Sequence, residues 1–165
     1  MIKEIKFRKE KILFGITFSL FMFLISLSFL IKPELFIRNQ FRTVLYIQIF
    51  GVIGTVYFST LLYSFIKLLN RKFAIKITEN FLIDNSRYES FGKIEWNKIS
   101  HIRRVSKNCI ELFLDESIYQ KSKKNLLGNF LRFMNNWNYN ERVIISSALL
   151  QDCSIEELYQ DIFKL

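Results

Sequence analysis

One histidine and two cysteines stand among 165 residues, and that scarcity excludes a good deal of chemistry. His101 has no aspartate or cysteine at motif spacing, and a lone histidine is ordinarily structural or solvated. Cys109 and Cys153 belong to no C-x-x-C pair, no glycine-rich phosphate loop occurs, and no serine lies in a G-x-S-x-G turn. No catalytic residue, metal ligand or cofactor is therefore expected, and the chain does not read as an enzyme. The two cysteines fit unpaired, mostly buried thiols of a reducing compartment, although their even number also permits one bridge in a domain outside the cell.

Charge is missing in two places where its absence decides the class of protein. Residues 12–31 and 43–66 contain no Asp, Glu, Lys or Arg. About 20 helical residues cover the roughly 30 Å hydrocarbon core of a bilayer, and a helix is the only form a short segment can take there, because it satisfies its own backbone. The two runs predict a transmembrane hairpin. A secretory signal is disfavoured, since the first run is longer than an h-region, no A-x-A-like site follows it and a second run comes almost at once. Gln48 is the sole strongly polar side chain within the runs. A pore or proton path needs intramembrane ionisable groups, which argues against a transporter acting alone.

What is present in excess is positive charge, +9 overall, and its placement matters more than its size. Residues 1–72 hold 11 Lys and Arg against 3 Asp and Glu, whereas residues 73–165 hold 13 against 12. The excess flanks the spans, where insertion topology and anionic lipid account for it, so no nucleic-acid partner is expected. Five basic residues precede the first span, three lie in the connector and four lie between Lys67 and Lys76. The positive-inside rule then places both termini in the cytoplasm, with an inverted hairpin as the alternative because Lys32, Arg38 and Arg42 would face outward. The expected organisation is a basic N-terminal segment 1–11, the hairpin 12–66, and one small cytoplasmic domain over 67–165, which is room for a single modest core.

Small residues recur at helical spacing at Gly15 and Ser19 on the first span, with Ser26 two turns on, and at Gly51, Thr55 and Ser59 on the second. They are a candidate face for close helix packing, with Ser19 and Ser59 at similar depth, unless the spacing is coincidental. After Lys67 the pattern turns to short alternating segments. Phe73, Ile75 and Ile77 alternate with polar positions, Phe81 to Asp84 follow a turn at Glu79 and Asn80, and Ile94 and Trp96 share a face after the break at Gly92. Further strands are expected around Ile102 to Val105, Ile110 to Leu114 and Val143 to Ser146, with Trp96 in the core. Ser154 and Glu157 form a capping box opening a helix whose Ile155, Leu158, Ile162 and Leu165 make one apolar stripe. The fold class is α+β: a two-helix hairpin followed by a small antiparallel barrel or sandwich closed by a C-terminal helix.

Ile83-Asp84-Asn85, the stretch from Gly92 through Trp96 to Ile99, and Val143-Ile144-Ile145-Ser146 before a Glu-Glu-Leu helix resemble a family of small bacterial membrane proteins. These carry two spans and a pleckstrin-homology-like domain, and most are of unknown function. The resemblance implies a barrel of about seven strands capped by the last helix, and binding rather than catalysis. Phosphoinositide-binding members of the fold use a lysine and then a basic-x-Arg motif. Here Lys76 is followed by Asn85-Ser86-Arg87, without the first basic residue, so inositol phosphate is not an expected ligand.

Residues 119–137 cluster apolar side chains among Lys121, Lys123, Lys124 and Arg132. This reads as a basic amphipathic helix that either packs on its own domain, the weightier reading, or meets anionic headgroups. Arg103, Arg104 and Lys107 form a second basic cluster, which would be an edge left in water if it binds nothing. The expected role is a membrane-tethered binding module at the inner face of a bacterial cytoplasmic membrane, contacting the bilayer, anionic headgroups or a membrane protein. The alternative is an immunity protein whose partner is a bacteriocin or delivered toxin, by analogy of architecture alone.

Overall fold

A computed structural model describes residues 3–37, 43–115, 131, 142–151 and 153–163. It contains two units, each with its own logic of packing. One comprises residues 10–67, and the other combines residues 1–9 with residues 68–165.

The first unit is the helical pair. Helix α1 spans Lys9–Ile31, 23 residues, and α2 spans Val44–Leu69, 26 residues. Both are long and apolar enough to cross a membrane. Pro33 ends the first, because it opens a short 3-10 turn, Pro33–Phe36, and cannot donate to a continuing helix. Large apolar side chains point outward on both helices: Phe14 is 74% exposed, Phe21 61% and Ile53 60%. Small residues lie between them. A Cβ on Gly15 would come within 2.8 Å of the Phe65 ring, one on Gly51 within 2.9 Å of Leu30, and one on Gly54 within 3.0 Å of Ser26 Cβ. These three contacts share one antiparallel register, and they require glycine because the neighbouring side chains already occupy the space.

Ser19 and Ser26 are buried, as a packing face demands, whereas Ser59 is exposed and donates to the Val56 carbonyl at 3.0 Å. A strict four-residue spacing drifts about 40° around a helix at each step, so Ser59 has turned about 80° away from Gly51. Gly54, three residues on, holds the face that the 51, 55, 59 series leaves. Most helix hydroxyls bond a carbonyl one turn back, as Ser26 does to Met22 at 2.9 Å and Ser64 to Thr60 at 2.8 Å. That arrangement hides a polar group from an apolar surrounding.

The second unit is built of two antiparallel sheets. Strands β1 (Lys3–Ile5), β2 (Ile75–Ile77), β3 (Phe81–Asp84) and β4 (Gly92–Glu95) form one, in that order. Strands β5 (Ile99–Ser106), β6 (Cys109–Leu114) and β7 (Arg142–Ser146) form the other, and a helix, α3 (Ile155–Phe163), follows. Among the described residues the sheets do not close into a barrel. Alternation decides which side is inside: Ile75, Ile77, Leu82 and Ile94 in the first sheet and Ile110, Leu112, Val143 and Ile145 in the second are at most 4% exposed. Helix α3 presents Ile155, Leu158 and Ile162 as its buried stripe, and its capping box forms, with Glu157 N donating to Ser154 Oγ at 3.1 Å.

Strand β1 lies in the segment whose lysines suggested only a topology signal. Lys3 pairs with Ile77 and Ile5 with Ile75, and Lys76 Nζ meets Glu4 Oε1 at 2.6 Å. The chain then pairs with the segment after β7: Lys6 O accepts from Gln151 N at 2.9 Å, Phe7 bridges Leu150, and Arg8 N donates to Leu149 O at 2.8 Å. Ile5 and Phe7 are 4% and 5% exposed. Six residues before α1 thus join the first sheet to the turn that follows β7. The alternation of Ile5 and Phe7 with Glu4, Lys6 and Arg8 carried this signal, masked by the density of charge.

Candidate binding surface

Trp96 does not sit in the core. It opens a 3-10 turn, Trp96–Lys98, that carries the chain from β4 to β5, and its side chain is only half-buried. Two hydrogen bonds from the β2–β3 turn fix it. Trp96 Nε1 donates to Thr78 O at 2.7 Å, and Trp96 N donates to Asn80 O at 3.3 Å. That turn is locked in its own right, since Thr78 N and Oγ1 both donate to Phe81 O, at 3.0 and 2.7 Å, while Thr78 Oγ1 accepts from Phe81 N at 3.1 Å. The indole is therefore held in a fixed orientation, partly open to solvent.

A cleft opens on each side of it. The first, of about 460 Å³, is mostly polar, lined by Asn80, Phe81, Lys93, Glu95 and Asn97 with Glu79. The second, of about 400 Å³, is more apolar, lined by Ile99, Ser100, His101, Ile102 and Ile162, again with Glu79. Both volumes fall within the usual range for ligand sites. The strand register explains the first: Phe81 stands opposite Glu95, and Lys93, two residues along, lies with its Nζ 4.3 Å from the Phe81 ring centroid. Its one lysine is thus parked on an aromatic face.

Compared with protein-family models, curated proteins and solved structures, the chain matches none. The remaining site residues are therefore read from geometry alone. Arg103 and Arg104 lie on β5, and both are engaged. Arg103 donates to Glu111 Oε2 at 2.9 Å, where Glu111 is 1% exposed, and its guanidinium carbon lies 5.8 Å from the Phe113 ring centroid. Arg104 pairs with Glu156 of α3. Lys107 is exposed in the turn between β5 and β6. Two of these three cations are thus committed to acids of their own unit. Lys121, Lys123, Lys124 and Arg132 lie outside the described residues, as does the amphipathic pattern around them apart from buried, helical Leu131.

His101 is exposed, its ring centroid 5.6 Å from that of Phe113. Both cysteines are free and half-buried. Among the described residues no three His, Cys, Asp or Glu side chains converge as metal ligands.

A second polar node lies below the β3–β4 loop, and sequence reading had no signal for it. Arg71 Nη1 donates to the carbonyls of Asn85 and Arg87, each at 2.7 Å. Asp84, 1% exposed, accepts from Ser86 N at 2.9 Å and from Ser86 Oγ at 2.7 Å. Burial pushes the Asp84 carboxyl above its ordinary range, against the pull of Ser86, Ser90 and Arg87. Burial likewise lowers Arg71, opposed by Asp84, Tyr88 and Glu89. Gly92, at φ 81°, closes the loop in a conformation other residues rarely adopt. The node sets the loop's shape; its groups are spent on one another and on backbone.

Proposed function

We propose that this chain is a membrane-anchored binding module. The two helices span the cytoplasmic membrane of a bacterium as a hairpin, and the sheets and α3 form a pleckstrin-like module on its inner face. One observation carries the reading: Lys3–Ile5, before the first span, and Ile75–Ile77, after the second, are neighbouring strands of one sheet. A chain that crosses twice returns to the side it left, and only then can those strands meet. Seven antiparallel strands followed by a helix support the pleckstrin-like assignment, with the first strand supplied from before the hairpin.

Commitment of Arg103 and Arg104 to Glu111 and Glu156 favours a protein partner over bulk anionic lipid, because a paired cation has little attraction left for a headgroup. A photo-crosslinking side chain placed at His101 should give a discrete adduct in native membranes, while the same group at Glu4 gives none. No adduct at His101, or the same adducts from both positions, contradicts a binding role for this surface.

A further inference from the structure

We infer that Lys6, Arg8, Lys9 and Lys72 form a second binding site of this chain, one that holds the phosphate headgroup of an anionic phospholipid in the adjoining leaflet. The inference goes beyond the partner surface at Trp96 and β5, and it rests on the two long helices being a hairpin in a bilayer.

These four cations are set apart by having nothing to neutralise them. Other basic residues of the first sheet and its loops are committed: Lys76 to Glu4 at 2.6 Å, Arg71 to the carbonyls of Asn85 and Arg87 at 2.7 Å each, and Lys93 to the Phe81 ring. Lys6, Arg8, Lys9 and Lys72 are all exposed, and none of them takes part in the ion pairs found among the described residues. Residues 5–9 and 68–75 contain no Asp or Glu. Glu10, exposed in the first turn of α1, is one carboxylate against four cations.

Strand pairing turns that density of charge into a site. Ile5 and Phe7 are 4% and 5% exposed, so alternation sends Lys6 and Arg8 together to the solvent side, roughly 7 Å apart along the strand. Their backbone is already fixed, with Lys6 O accepting from Gln151 N at 2.9 Å and Arg8 N donating to Leu149 O at 2.8 Å. Ala74 N donates to Ile5 O at 2.8 Å, which brings Lys72, two residues earlier, to the same end of β1. A loose basic tail would lose backbone freedom on binding, whereas this segment has lost it in folding. An arginine fork beside lysines suits a phosphodiester, which accepts on two oxygens.

Position selects a lipid as the source of that phosphate. Lys9 is the first residue of α1, and Lys72 lies three residues beyond Leu69, the last of α2. In the proposed hairpin, connectivity alone keeps all four cations within about 10 Å of the span ends, a distance over which an anionic leaflet attracts basic side chains. Arg103 and Arg104 are spent on Glu111 and Glu156, so lipid and protein partner are held by different residues. Because Lys6 and Arg8 belong to the segment paired with Leu149–Gln151, headgroup binding also stabilises the docking of residues 3–8.

The full-length chain in detergent micelles is titrated with phosphatidylglycerol or with phosphatidylcholine of the same acyl chains, and the retained lipid is counted by native mass spectrometry. Phosphatidylglycerol should bind at least about tenfold more tightly, since each cation near an anionic surface is worth about fivefold. Lys6→Gln combined with Arg8→Gln should abolish the preference. Lys93→Gln combined with Lys107→Gln removes the same charge from other exposed positions and should leave it intact. Lys72→Gln, in the turn before β2, should weaken phosphatidylglycerol about fivefold and serves if the double change disturbs the sheet. Amide exchange at residues 5–8 of the unaltered chain should slow with phosphatidylglycerol and not with phosphatidylcholine. Equal binding of the two lipids, a preference indifferent to Lys72→Gln and to the Lys6 and Arg8 changes, or one lost equally with Lys93 and Lys107 overturns the proposal. The crosslink at His101 stands or falls separately, since a protein partner would still give it.

Discussion

The hairpin and the sheet unit solve the packing problem in opposite ways. In the sheet unit the large aliphatic side chains lie inside, with Ile75, Leu82, Ile110, Leu112 and Ile145 fully buried, and the only carboxylates buried with them among the described residues, Asp84 and Glu111, are hydrogen-bonded. In the hairpin the small residues lie inside and Phe14, Phe21 and Ile53 point outward. Burial of apolar area drives the first, at about 25 cal/mol for each Å² removed from water. In the bilayer proposed for the helix pair it would not drive the second, because lipid tails are as apolar as leucine, and close backbone approach takes over. The contrast between an inside-out helix pair and a conventional sheet unit is what the proposed hairpin requires, with lipid around one part of the chain and water around the other. Residues 3–8 are where that division fails to follow the sequence, since they precede the first span yet belong to the sheets.

The largest way to break the comparison is to remove that exception. Phe7→Ala should lower the stability of the sheet unit by about 3 kcal/mol, the usual loss for truncating a buried phenylalanine. Denaturant unfolding of the full chain in detergent would show it. An unchanged midpoint would mean that residues 3–8 are ornament and that the sheets fold without them. The same geometry predicts that a fragment beginning at residue 68 folds poorly, because it leaves the β2 edge and the Leu149–Leu150 backbone unpaired.

Next in size is the hairpin's dependence on smallness. Gly54→Leu drives a side chain into Ser26 and should cost about 1–3 kcal/mol of overpacking. With cysteines placed at Leu30 and Gly51, neighbours across the helix pair, and the native thiols replaced by serine, Gly54→Leu should reduce the disulfide yield in membranes. Yield unaffected by the leucine would show that these glycines are not where the helices meet.

The smallest effect sharpens the sheet side of the comparison. Because burial raises the Asp84 carboxyl, the folded state holds that proton more tightly than the unfolded state does. The resulting stability is fully present below the unfolded value of about 4 and is lost as pH rises through the folded value. The unaltered chain should therefore lose stability relative to Asp84→Asn as pH increases across that interval. Denaturation midpoints of the two proteins measured at acid and neutral pH give the difference, and parallel pH profiles would refute a raised Asp84.

Much of this architecture could be read from residue patterns, and the exceptions have physical causes. The two long helices declared themselves through uninterrupted apolarity, and β3, β4, β6 and α3 through period-two alternation or a capping box. Strand β1 was hidden because three residues of alternation among five lysines and arginines resemble a topology signal. Trp96 was assigned to the core because it alternates with Ile94; nothing local reveals that the strand ends at Glu95 and that a 3-10 turn, anchored on Thr78 and Asn80, leaves Trp96 only half-buried. The partners of Arg103 and Arg104 depend on β5–β6 register and on α3, which are long-range facts. The Arg71–Asp84 node joins residues from separate elements and leaves no periodic trace.

The central claim is that the chain crosses a bilayer twice and brings residues 3–5 back to the sheet on one side. Its most direct test is cysteine labelling in intact cells with a membrane-impermeant maleimide, on proteins whose native thiols are replaced by serine. Glu34→Cys, in the connector, should react from outside, while Lys107→Cys, in the β5–β6 turn, should react only after the membrane is opened. Reaction of both positions from the same side would contradict the account.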